Sequence, residues 1–132
     1  MRSGDNIFLD QYSHASIVDG AILAKSKTTF FRHNNPLDLE RKMANVKGKK
    51  LVVVEGVYSM DGDMCALPEI LEVTKRHGAR MLIDEAHSTF LFGPNGRGVA
   101  EHFGLDNEID FHLGTFSKSL GGQGGFVCGS RA

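Results

Sequence analysis

The segment Lys50-Leu51-Val52-Val53-Val54-Glu55-Gly56 constrains this chain more than any other. Its apolar run is β-branched and unbroken rather than alternating, the habit of a strand buried on both faces in a parallel sheet. Arg80-Met81-Leu82-Ile83-Asp84 repeats the pattern, and Ile109–Leu113 and Gly125–Cys128 read as two further strands. Asn6–Asp10 and Thr28–Phe31 are shorter strand candidates. Helical signals lie between them. Ser13 can cap a helix from about His14 to Lys25, with Ile17, Ala21 and Ile22 or Ala24 on one side. Asn35 and Pro36 open a second, with Leu37, Leu39 and Met43 as its apolar residues, and Pro68 opens a third that runs to His77 and closes at Gly78. Strands alternating with helices predict an α/β fold, a mostly parallel sheet flanked by helices and joined by right-handed crossovers.

Bulk properties narrow the function classes. The 132 residues suffice for one domain with a core. Lys and Arg number 15 against 16 Asp and Glu, a formal net charge of −1, which leaves no electrostatic footprint for nucleic acid or an acidic membrane. Lys47, Lys49 and Lys50 read as a solvated loop. The first residues lack the apolar stretch of a signal peptide and no run reaches transmembrane length, so the expected location is cytoplasmic. Cys65 and Cys128 make no disulfide framework, and Cys128, behind an apolar pair, reads as a small buried residue. The sequence opens directly on a strand and closes at Arg131-Ala132 just after one, as a section of a longer polypeptide would.

Ligands of open α/β sheets gather at the carboxyl ends of the strands. Those ends are Glu55 to Ser59, then Asp84-Glu85-Ala86-His87, then Gly114-Thr115-Phe116-Ser117-Lys118. Three polar clusters therefore share one sheet edge. Lys118, just past a buried strand, is either a desolvated amine able to attack a carbonyl or a surface lysine after a turn. Thr115 and Ser117 bring hydroxyl groups suited to a phosphate. Asp84 could hold a protonated ring nitrogen, bind a metal or cap the next turn, and His87 could donate to the same ligand or stand exposed. His14, at a helix start, could stack on an aromatic ligand or belong to the helix alone. Ser59 sits in a polar turn built on Asp61-Gly62. His33, His77, His102 and His112 form no metal-ligand spacing and read as structural. Gly accounts for 16 residues, about 12% against a typical ~7%, and many lie near the end of the chain, where tight turns or close approach to a ligand would need them.

Other classes fit less well. Asp84-Glu85-Ala86-His87 has the look of an ATPase metal-binding box, but the phosphate-cradling Gly-x-x-x-x-Gly-Lys-Ser/Thr segment is absent from the sequence. A metal-dependent hydrolase using Asp84, Glu85 and His87 lacks a second His-rich cluster. A non-catalytic interaction domain leaves the coincidence at one sheet edge unexplained.

Taken together the motifs are those of a known family. Ser13-His14-Ala15-Ser16-Ile17-Val18-Asp19-Gly20, Phe31-Arg32-His33-Asn34, the stretch from Val53 through Tyr58-Ser59 to Asp63, Leu82-Ile83-Asp84-Glu85-Ala86-His87-Ser88, Gly93-Pro94-Asn95-Gly96-Arg97-Gly98 and Gly114-Thr115-Phe116-Ser117-Lys118-Ser119 occur in one order and spacing. In this the chain resembles the α-oxoamine synthases, a branch of the fold-type-I pyridoxal-phosphate enzymes in the class-II aminotransferase group, and among them it looks most like the bacterial serine palmitoyltransferase type.

The resemblance implies a fragment of the aspartate-aminotransferase-like large domain with pyridoxal 5'-phosphate as cofactor. Residues 1–132 would be its central part, without the N-terminal part and the small C-terminal domain, since family members are about three times this length. Lys118 would form the Schiff base, Asp84 pair with the pyridine nitrogen, and His87 bond the ring's phenolic oxygen. His14 would stack on the ring, Thr115 and Ser117 bind the phosphate, and Ser59 contact the cofactor near that phenolic oxygen. The implied reaction condenses an amino acid with an acyl-CoA, with loss of carbon dioxide, to an aminoketone; a pyridoxal-phosphate aminotransferase is the alternative. No metal or nucleic acid is implied, and the full-length protein would be a homodimer with its sites at the interface. Phe90 stands where relatives usually carry Gly, and a bulky ring there would reshape the loop after His87.

Overall fold

A computed structural model describes residues 1–129; Arg131 and Ala132, with which the sequence closes, lie outside the described residues. The elements follow in chain order as β1 (Asn6–Asp10), α1 (Ala15–Leu23), β2 (Lys27–Phe31), α2 (Pro36–Met43), β3 (Lys50–Glu55), α3 (Leu67–Arg76), β4 (Arg80–Asp84), α4 (Val99–His102), a 3-10 turn (Asp106–Glu108), β5 (Phe111–Thr115) and β6 (Gly125–Gly129). One six-stranded sheet runs in the order β2-β1-β3-β4-β5-β6. The first five strands pair in parallel, and β6 closes the edge antiparallel to β5.

The unbroken apolar strands are buried as their composition requires. Phe8, Val52, Val54, Met81 and Ile83 face a core shared with Leu39 and Met43 of α2, Ile70 and Val73 of α3, and Val99 of α4. Ile7, Leu9 and Val53 point to the other face, where α1 covers them through Ala21, Ile17 and Val18. Each crossover helix thus takes one face of a strand that is apolar on both. Burying such side chains stabilises the fold by roughly 1.5–3 kcal/mol apiece.

Four expectations need correction. The cap of α1 is His14, whose ring nitrogen accepts from the Ser16 N–H, and not Ser13. Of Ile22 and Ala24 it is Ala24 that packs on the sheet, and Ile22 and Leu37 are solvent-exposed, because each helix presents only a narrow stripe to the sheet. Cys128 is exposed rather than buried, since β6 is an edge strand with little packed against it. The third sequence-predicted strand starts two residues later than expected, because Asp110 is taken up in bonding the Met81 N–H across the loop. Helix α4 and the 3-10 turn carry too few residues to announce themselves by periodicity. Among the described residues no helix is long and apolar enough to cross a membrane.

Candidate active site

Strand order reverses between β1 and β3: the chain leaves β1 toward β2 on one side, then returns to build β3, β4 and β5 on the other. A crevice opens at the carboxyl ends beside such a switch point. Here a cavity of about 540 Å³ occupies that position. His14 lines it from the loop after β1, Glu55 from the end of β3, Asp84 and His87 from the end of β4, and Thr115, Ser117 and Lys118 from the end of β5. Six of the seven sequence-predicted residues therefore meet around one space. Ser59 does not line it: the buried Tyr58 ring anchors the chain inward, and the next residue turns out to solvent.

Each side chain is held by its surroundings. Asp84 is 8% exposed, and its Oδ1 accepts from the Ala86 N–H at 2.9 Å. No donor among the described residues engages its Oδ2. Burial pushes its carboxyl above the ordinary range, against the pull of Lys118 and His87. Lys118 Nζ stands 2.7 Å from His87 Nε2. Burial, then the lysine's charge, lowers the His87 pKa, which favours the neutral imidazole. Thr115 Oγ1 lies 2.7 Å from Ser117 Oγ and accepts from the Ser117 N–H at 3.2 Å. Thr115 Oγ1 also donates to the Gly124 carbonyl at 3.1 Å, so the two hydroxyls are bonded to each other and to the turn at the cavity rim.

His14 stands at the mouth. Its Nδ1 is 2.8 Å from Ser16 Oγ, which leaves Nε2 and the ring faces available. Its backbone N–H donates to Glu55 Oε1 at 2.5 Å. The sequence motifs gave no role to Glu55, which is 2% exposed and the ladder neighbour of Asp84. Its raised pKa comes from burial, with the Asp84 charge adding to it.

Glu85 leaves the cavity. Its carboxylate turns under α4, where it accepts from the Val99 and Ala100 N–H groups at 2.9 Å each and from the Ser88 hydroxyl. A metal-binding box needs that oxygen pair free, so the ATPase and hydrolase readings lose a ligand. Among the described residues no group of three or more His, Cys, Asp or Glu side chains could hold a metal ion.

The residues around the cavity form a donor set of one kind: an amine beside a neutral imidazole, a desolvated carboxylate with an unused oxygen, and a rim of hydroxyl groups. A flat cationic heterocycle with an aldehyde and a phosphate meets each of these in turn. Pyridoxal phosphate fits.

The family model for aminotransferase class I and II matches residues 1–132. The 8-amino-7-oxononanoate synthase of Lysinibacillus sphaericus is 49% identical over 129 residues, 96% of this chain and 33% of its own length. The serine palmitoyltransferase of Sphingomonas paucimobilis is 52% identical over 126 residues, 94% of this chain and 30% of its own. Among solved structures, serine palmitoyltransferase from S. paucimobilis with a bound PLP–myriocin aldimine superposes with a TM-score of 0.96 at 49% identity, over 98% of this chain and 33% of that one. The 8-amino-7-oxononanoate synthase from Francisella tularensis gives 0.79 at 30% identity, over 98% and 38%. The chain spans about a third of the length of the curated relatives it matches.

Proposed function

Since this chain belongs to the aminotransferase class I and II family and resembles its α-oxoamine synthase branch, we propose that it is the central, cofactor-holding part of a pyridoxal-phosphate-dependent acyltransferase. The reaction joins an amino acid to an acyl-CoA: the acyl C–S bond breaks, a bond forms to the amino acid's α carbon, carbon dioxide leaves and an aminoketone is released with the free thiol. One observation carries the reading. The Lys118 amine, the Asp84 carboxylate, His14, His87 and the Thr115 and Ser117 hydroxyls line a single cavity at the sheet's switch point.

When bound, the cofactor supplies an electron sink for negative charge developing at the amino acid's α carbon. The chain's own residues do the rest. Lys118 Nζ would hold the cofactor's aldehyde carbon and, as a free amine, would take the proton from the α carbon. His87 Nε2, 2.7 Å from that amine, would bond the ring's phenolic oxygen. The Asp84 carboxylate, desolvated and with an oxygen that no donor among the described residues engages, would hold the ring nitrogen in its protonated state, which would strengthen the sink. Thr115 and Ser117 would hold the phosphate, and His14 would cover the ring from the mouth.

The full-length protein would act as a homodimer in the cytoplasm. Phe90, Leu91 and Leu120 are exposed apolar residues on two loops joined by the Ser119 hydroxyl bond to the Thr89 carbonyl at 3.1 Å, a surface suited to a second copy. The unpaired thiols of Cys65 and Cys128 suit a reducing compartment.

Borohydride reduction of the full-length protein loaded with pyridoxal phosphate, followed by peptide mapping, tests the reading. The cofactor should be fixed on Lys118 and lost in Lys118→Ala, and carbon dioxide should be released only with an amino acid and an acyl-CoA together. Attachment at another lysine, or transamination without carbon dioxide release, would overturn it.

A further inference from the structure

We infer that Glu55 is a positioning residue for this site: its carboxylate ties His14 to the sheet through the backbone and so fixes where the imidazole stands at the cavity mouth. The inference rests on the proposed cofactor site for its consequence, but not for its geometry.

His14 is held at three points. Its carbonyl accepts from the Ile17 N–H at 2.9 Å and the Val18 N–H at 3.3 Å. Its ring Nδ1 accepts from the Ser16 N–H at 3.3 Å. Both ties run forward into α1, the helix that His14 itself caps. They hold His14 to α1, which meets the sheet through the packing of Ile17 and Val18 and not through a hydrogen bond from His14. Only the third tie, from the His14 N–H to Glu55 Oε1 at 2.5 Å, reaches the sheet. The preceding loop is itself tied to β1, since Tyr12 and Ser13 donate back to Asp10 at 2.9 and 3.0 Å, so Glu55 supplies the sheet bond of His14 itself beside those of its neighbours.

The choice of a carboxylate needs its own explanation. Glu55 is the register partner of Asp84 in parallel strands, so two acids line the same cavity side by side. Like charges placed together in a desolvated site oppose folding. A glutamine would accept the His14 N–H equally well without that cost. Two acids facing a cavity are matched by cationic groups inside it: burial raises the pKa of both, the Lys118 charge opposes that rise, and a protonated ring would oppose it further. Glu55 thus combines two tasks, an acceptor for the His14 amide and a share of the negative field.

Backbone hydrogen exchange in the cofactor-free full-length protein, read together with pyridoxal-phosphate titration, separates these tasks. The His14 amide should be protected in the wild type and in Glu55→Gln, and should exchange at least ~10-fold faster in Glu55→Leu. Cofactor affinity should fall by ~10-fold or more in Glu55→Leu, and by a smaller factor in Glu55→Gln. In a His14→Ala background Glu55→Leu should keep only the smaller, charge-related part of its effect, because the side chain it positions is gone. Should the leucine variant not fold, Glu55→Asp keeps the charge but withdraws the oxygen by one methylene and should deprotect His14 in the same way. A His14 amide still protected in Glu55→Leu or Glu55→Asp, or full losses that simply add in the double variant, would overturn the inference. Exchange is read without cofactor, so a wild type that binds no pyridoxal phosphate would sink the proposed function while leaving the exchange result to decide the tie.

Discussion

Replacing Glu85 with alanine should remove much of the protein's stability without changing the cavity. The side chain is 2% exposed, and it receives two backbone N–H groups at the start of α4 together with the Ser88 hydroxyl. Deleting it strands two buried amides, each costing about 1–3 kcal/mol when left without a partner. Gly98, at φ +120°, brings the backbone so near that a Cβ there would lie 2.4 Å from Glu85 Oε2, so the site is packed too closely for the chain to collapse onto new partners. The expected loss is therefore about 3–5 kcal/mol, against a total of about 5–15 kcal/mol for a domain of this kind. Glu85→Gln keeps one acceptor and turns an amide NH₂ toward a backbone N–H, so about 1–3 kcal/mol should go. Urea denaturation followed by circular dichroism gives the answer. At a slope near 2 kcal/mol/M the alanine variant's midpoint should fall by roughly 2 M. A loss under about 1 kcal/mol for alanine, or glutamine proving the worse of the two, would refute the anchoring role.

Two further outcomes follow from the loops around the site. Burial pulls the His33 pKa down, but hydrogen bonds to Asp10 at 2.9 Å and Asp63 at 2.8 Å outweigh it and hold the imidazole above its ordinary value. A folded pKa above the unfolded one means that this stabilisation is complete below about pH 6.5 and fades as pH rises through the folded value. Urea midpoints should decline through that window in the wild type and lose the slope in His33→Gln; equal slopes would contradict the bridge. Phe90 adopts φ +69° with its ring about half exposed, a conformation costing an L-residue roughly 1–2 kcal/mol. Phe90→Gly should accordingly stay within about 1 kcal/mol of the wild type, since relief of strain offsets the lost packing and the freer unfolded chain. A thermal scan showing a loss near that of a core phenylalanine, about 3–5 kcal/mol, would refute it.

The central strands were legible because a parallel strand covered on both faces has no polar side to blur its pattern. β1, β3 and β4 begin at the expected residues for that reason, and β3 and β4 end on the acids that line the cavity. Edges were harder. β6 offers one packed neighbour, and a small apolar residue such as Cys128 is compatible with either side of it. Helix ends misled where two residues could serve as cap: Ser13 and His14 both carry an acceptor, and only the three-dimensional path of the loop decides that the imidazole is the one that reaches Ser16.

Composition at the strand ends exposed most of the site, yet it could not sort neighbours by direction. Asp84 and Glu85 are adjacent acids, but one faces the cavity and the other lies beneath α4, bonded to a helix start 14 residues downstream. Glu55 has the opposite history: nothing local marks it, because its partner is a backbone N–H 41 residues away. Ser59, whose site role came from the resemblance, faces solvent, whereas Thr115 and Ser117, read as hydroxyls at the end of a buried strand, line the cavity. What separates the cases is whether the segment after the strand folds back over the switch point. The loops after β1, β4 and β5 do, while Tyr58 takes the loop after β3 down to the core. Burial of one large ring therefore determines which strand end lends a side chain to the site and which lends only its last strand residue.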